Sequence, residues 1–173
     1  MLVVMAAFAV GCGSTGKSAT TAVDTTAQER AAEQRERERR EAAEREQQQA
    51  DYEACRKRLG PLQRKLETLG SRLAVGLNFE RYGTAVADAR VVYDRIDFEE
   101  LSEVPDCVFE VGISLERALN QFARAHGIWA ECFESWDCDM DSIDPQLQEK
   151  WASAGRSLEK ARDNLDAMEP EDE

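Results

Sequence analysis

Breaker residues are scarce in this chain, with 4 prolines and 10 glycines among 173 residues. So few leave little material for the many tight turns of a β fold, and the expected class is all-α. Histidine occurs once, as His126. No second base accompanies Ser114, so a hydrolytic triad lacks its parts. No Glu-x-x-His pair exists for a di-iron centre. Long apolar runs are also missing: the run at residues 2–10 falls well short of the ~20 residues that span a bilayer. A surplus of positive charge is missing too, since 22 Lys and Arg stand against 35 Asp and Glu for a net charge of -13. That balance argues against nucleic acid, which needs a cationic face, and against docking on anionic headgroups. No cofactor and no catalytic set are expected, and the chain reads as non-enzymatic.

What is present is a 42% hydrophobic fraction, enough for one modest core. Residues 51–173 carry 27 of the acids but only 15 of the bases, so the acidity sits on the part expected to fold.

The apolar run Leu-Val-Val-Met-Ala-Ala-Phe-Ala-Val at 2–10 suits the core of a signal peptide. It ends in Ala9-Val10-Gly11-Cys12, which resembles the lipobox of bacterial prolipoproteins. Gly11 and Cys12 match its two most demanding positions; Ala9 stands where that family usually has Leu. The resemblance covers residues 1–12 only. It implies a signal peptide at 1–11 that is cut away and a diacylglycerol on the sulfur of Cys12. It also implies residence outside the cytoplasm, on the outer face of the cytoplasmic membrane or at the periplasmic or outer membrane.

The same residues fit a second motif. Gly11 to Ser18 matches the phosphate-binding loop G-x-x-x-x-G-K-[ST], in which backbone N–H groups and a helix N-terminus converge on phosphates. The context opposes it. A polar Thr-rich stretch follows Ser18, and no βαβ alternation appears downstream to carry such a loop. P-loop nucleotide binding at residues 11–18 is therefore the remote alternative.

Residues 12–27, rich in Gly, Ser, Thr and Ala, read as a lipidated flexible linker. Residues 28–50 are almost wholly Glu, Arg, Ala and Gln, all strong helix formers, with opposite charges four apart at Glu33–Arg37, Glu36–Arg40 and Glu41–Arg45. A solvated helical stalk is expected there. No apolar seam supports pairing of that stalk as a coiled coil.

From residue 51 the apolar period is helical. One stripe is Tyr52, Cys55, Leu59, Leu62, Leu66, Leu69 and Leu73. A second is Phe79, Tyr82, Val86, Ala89, Tyr93 and Ile96. A third is Val108, Val111, Leu115, Ala118, Phe122, Ala125, Trp129 and Cys132. The last is Leu147, Trp151, Ala154, Leu158, Ala161, Leu165 and Met168. Four stripes with short connections predict an antiparallel up-down four-helix bundle over 51–168, followed by an acidic tail at 169–173. Gly76-Leu77-Asn78 supplies a left-handed cap and an N-cap for the first turn. Asp97 to Val104 is expected as a loop ahead of Pro105, and Asp144-Pro145 as the start of the last helix. The seam keeps phase across Pro61, so a continuous, kinked helix is expected there.

With Cys12 assigned to lipid, four cysteines remain in an oxidising compartment. Cys107 and Cys132 on one helix lie ~37 Å apart along its axis, far beyond disulfide reach. The up-down topology returns Cys107 to the end that holds Cys55. The expected bridges are Cys55–Cys107 and Cys132–Cys138.

The remaining candidates are weaker. Asp137, Asp139 and Asp141 resemble the start of an EF-hand loop but lack its glycine, and Gln148 stands where the bidentate Glu belongs. They are a calcium alternative to an acidic connection with Asp144 as helix cap; no metal is expected. His126 with Cys132 and Cys138 lacks the spacing of known zinc modules, and His126 is expected on a helix flank. Trp129, Phe133 and Trp136, with Trp151, cluster around the Cys132–Cys138 loop. They are core filling or an aromatic rim for a protein partner. The functional expectation is a membrane-anchored extracytoplasmic binding or structural module. The alternative is a solute-binding lipoprotein with a site between helices. Frequent seam alanines favour close packing over a cavity.

Overall fold

The computed structural model describes residues 21–170 and contains no strand among them. Cys12, the signal peptide at 1–11, the motif at 11–18 and the tail beyond Pro170 lie outside the described residues. The elements are α1 (Thr21–Val75), α2 (Phe79–Tyr93), α3 (Phe98–Leu101), a π-helical turn (Cys107–Gly112), α4 (Ile113–Glu134) and α5 (Met140–Ala167). None of the helices described is long and apolar enough to cross a membrane. The chain divides into two units, Met1–Ala43 and Glu44–Glu173.

In the first unit, helix begins at Thr21, within the segment expected as linker. From residue 26 every side chain is exposed. Such a helix gains nothing from a core and depends on propensity and on local pairs such as Glu36 with Arg40 and Gln34 with Glu38 at 3.0 Å.

The second unit holds the core. The first stripe is buried as the period requires, with Cys55, Leu59, Leu62, Leu66 and Leu69 all sealed from solvent. α1 runs unbroken through Pro61, because burial on both sides holds the helix across the missing N–H. Gly76 ends it at φ 99°, a conformation that favours glycine. Asn78 then caps α2, its side chain accepting from the Arg81 N–H at 2.9 Å. Tyr82, Val86 and Ala89 are the buried face of α2. Ala118 and Ala125 of α4 and Ala154 and Ala161 of α5 are fully buried, and only so small a side chain lets two helix backbones approach closely.

Three boundaries differ from expectation. The segment 97–104 contains a short helix capped by Asp97, and it buries Leu101 and Val104. Two apolar side chains thereby leave water in a stretch expected as a loop. The third long helical segment opens at Pro105 but passes through the π-turn before regular α-helix. That turn shifts the phase by one residue, so Cys107 is buried while Val108, the expected seam position, is only half-buried. α5 starts at Met140, a turn before Asp144-Pro145. Its cap is Asp139, whose carboxylate accepts from the Asp141 N–H at 3.1 Å. Pro145 therefore lies inside the helix and Asp144 caps nothing.

Cys55 and Cys107 are joined with Cα atoms 5.5 Å apart, and Cys132 and Cys138 with Cα atoms 4.9 Å apart. Both pairs are the expected ones.

Candidate binding surface

The most unusual surface of the second unit is the connection from α4 to α5. α4 ends at Glu134, and Ser135 turns extended while its N–H still reaches the Cys132 carbonyl at 3.0 Å. The Cys138 N–H returns to the Ser135 carbonyl at 3.4 Å. The disulfide closes the same residues covalently, so Trp136 stands on a short, doubly tied loop. The Ser135 hydroxyl donates to the Asp137 carboxylate. That bond holds the Asp137 carboxyl below the usual carboxylate range, with a backbone hydrogen bond acting in the same direction.

Trp136 is fully exposed, at 105% relative accessibility. Phe133 is 56% exposed and Met140 lies near it in sequence, also exposed. Phe133 meets Phe79 edge-on at 5.0 Å. Phe79 stacks on His126 at 4.9 Å with the rings 7° from parallel. A Cβ on Gly83 would come within 2.6 Å of the His126 Nε2, so glycine is what admits that ring. Deeper in, Trp129 lies 6.1 Å from Trp151 and 5.9 Å from Tyr82. Tyr82 is wholly buried. Its hydroxyl donates to the Phe122 carbonyl at 2.8 Å and accepts from the Trp151 indole N–H at 3.1 Å. Burial raises the Tyr82 pKa well above the ordinary tyrosine value.

The aromatic cluster read from the sequence thus splits in two. Trp129 and Trp151 are half-buried and pack on the core. Phe133 and Trp136 face outward. The buried Trp129 indole N–H has no hydrogen-bond partner among the described residues. Tyr82, which ties α2 to α4 and α5, was expected only as a seam residue; partners 40 and 69 residues away leave no local signal.

No family model, no curated protein and no solved structure matches this chain.

The other candidates are placed as follows. Asp137 is engaged by Ser135 and Asp139 by its own helix N-terminus. Among the described residues no three His, Cys, Asp or Glu side chains are grouped to hold a metal ion. His126 is occupied by its stack on Phe79, and Cys132 and Cys138 by each other. A groove of about 370 Å³ lies among Gly70, Leu73 and Ala74 of α1, Phe122 of α4, and Trp151 and Gly155 of α5. Added Cβ atoms on Gly70 and Gly155 would meet nothing within 4 Å, so these glycines leave the groove open. A second groove, of about 350 Å³, runs between α1 and α2. It carries both signs of charge, with Lys65 3.6 Å from Asp88.

Proposed function

We propose that this protein is a lipid-anchored, extracytoplasmic binding module with no catalytic machinery, held through Cys12 and capturing a protein partner with the loop that carries Trp136. The single observation behind this reading is the full exposure of Trp136 on a disulfide-closed loop. An isolated tryptophan in water forgoes a large burial energy, and tryptophan is the residue most enriched at binding hot spots. The closed loop also lowers the ordering entropy that docking would otherwise cost. The anchor rests on the Ala9-Val10-Gly11-Cys12 spacing.

The second unit is proposed as an antiparallel up-down bundle of α1, α2, α4 and α5. Phe79 and Tyr82 at the start of α2 meet Phe133 and Trp129 late in α4, which supports opposite directions for that pair. The Asn164 side chain near the end of α5 donates to the Glu110 carbonyl at 3.0 Å, which supports the same for α5 and the segment leading into α4.

Metabolic labelling with a clickable fatty acid tests the anchor: label is expected on the native chain and absent from Cys12→Ser. A photo-crosslinking amino acid at position 136, in the producing cells, tests the loop. A discrete adduct is expected there and none at position 91, an exposed site on α2. Equal crosslinking at both positions would sink the reading.

The solute-binding alternative is favoured by one observation, the open apolar groove at Gly70 and Gly155. Its size falls at the lower end of small-molecule sites, roughly 300–1,000 Å³. Bound apolar dye that is displaced by Gly155→Leu, and indifferent to Trp136→Ala, would select that reading.

A further inference from the structure

We infer that the partner captured at Trp136 is a basic protein segment, one that offers an apolar slot flanked by lysine or arginine. This rests on the docking role proposed for Trp136 and adds the chemistry of what docks. From Glu131 to Asp144 the chain has six carboxylates, Glu131, Glu134, Asp137, Asp139, Asp141 and Asp144, and no lysine or arginine. All six are exposed. None takes part in an ion pair among the described residues. Some acids elsewhere on the second unit do meet a base: Glu100 pairs with Arg58, Asp88 with Lys65, Asp94 with Arg90 and Glu110 with Lys160.

This base-free run of exposed carboxylates carries the exposed apolar side chains Trp136, Phe133 and Met140. Asp139 caps α5, while Asp137 and Asp144 accept a bond from the side chains of Ser135 and Gln148. The two features divide the work of recognition. The indole supplies affinity through desolvation, while the carboxylates steer a cationic partner and set its orientation. The same charge selects against other occupants. A second copy of this chain would bring like-charged rims together, an anionic bilayer would be repelled, and nucleic acid would be too.

The experiment is selection of displayed random peptides on the immobilised full chain, with counter-selection on Trp136→Ala. Matching melting curves establish that the variant is folded. Peptides that depend on Trp136 are expected to carry net positive charge and an aromatic or aliphatic residue. A synthetic copy is expected to lose about tenfold in affinity between about 50 mM and 500 mM salt. A similar loss is expected on Glu134→Gln/Asp137→Asn/Asp141→Asn, which spares the cap. Trp136-dependent peptides that are neutral or acidic, or whose affinity is flat with salt, would overturn the basic-partner inference while leaving Trp136 docking intact. If no selected peptide depends on Trp136, the docking role itself falls. Trp136-dependent binding to phosphatidylglycerol vesicles would instead make the occupant a lipid surface.

Discussion

The two disulfides stand in opposite surroundings. Cys55–Cys107 joins residues 52 apart and is wholly buried among Leu59, Val104 and Val111. Cys132–Cys138 joins residues only 6 apart, and most of the loop it closes is exposed. The first ties distant segments and belongs to the core. The second changes the global fold little and fixes a local shape. One chain thus uses the same bond for two purposes, stability and presentation, and sequence separation with exposure tells them apart.

The largest expected effect tests the stabilising member. In the chain-entropy picture a loop of 52 residues is worth about 4 kcal/mol. Cys55→Ala/Cys107→Ala should lower unfolding free energy by at least that much, because buried sulfur is lost as well. Chemical denaturation measures it. Cys132→Ala/Cys138→Ala should cost about 2 kcal/mol, from a loop of 6. Equal losses would erase the contrast. Under native conditions a mild thiol should open Cys132–Cys138 first, since Cys138 is reachable and Cys55 and Cys107 are not; mass mapping of alkylated thiols reads the order.

Next comes Tyr82→Phe, which strands the Trp151 indole N–H and removes a bond across helices. A loss of about 1–3 kcal/mol is expected. Because the folded-state pKa of Tyr82 is raised by burial, the unfolded chain ionises first on the alkaline side. The native protein should hold this contribution below about pH 10 and lose stability as pH climbs past it, and Tyr82→Phe should flatten that decline. Melting curves across the alkaline range test the slope.

Two glycines give smaller effects of opposite sign. Gly155→Ala adds a methyl to open space in a helix interior and should stabilise by about 0.5–1 kcal/mol. Gly83→Ala gains the same propensity but drives a Cβ into His126, and should destabilise or break even. The smallest effect belongs to the presenting region. Trp136→Ala should shift stability by less than about 0.5 kcal/mol, while abolishing partner capture. A large fall in melting temperature would show Trp136 to be packed and not presented.

How legible this was in the sequence depended on how local each cause is. The helical stripes were readable because Leu59, Leu62, Leu66 and Leu69 repeat at the period that buries one face. Both cysteine pairings followed from helix length and the up-down order of the helices, once Cys12 was set aside. Three features escaped. The π-turn has no compositional marker, so the expected seam placed Val108 inward where Cys107 is found. Leu101 and Val104 were hidden among acids. The start of α5 was misplaced because Asp144-Pro145 matches a helix opening as well as Asp139 does. At the surface, Trp129 and Trp136 looked alike by composition. What separates them is that Trp129 falls on the inward phase of α4, while Trp136 comes two residues after that helix has ended.

The π-turn has one more consequence. An extra residue within a helical segment rotates everything before it by about 100° relative to everything after it. Cys107, at the first residue of that turn, is bonded to Cys55. Deleting Phe109 would let the segment relax to regular α-helix, leave α4 in register, and swing the Cys107 sulfur to a different side. The same four cysteines would then be present with one bridge out of reach, and oxidative closure of the core would hinge on one exposed residue.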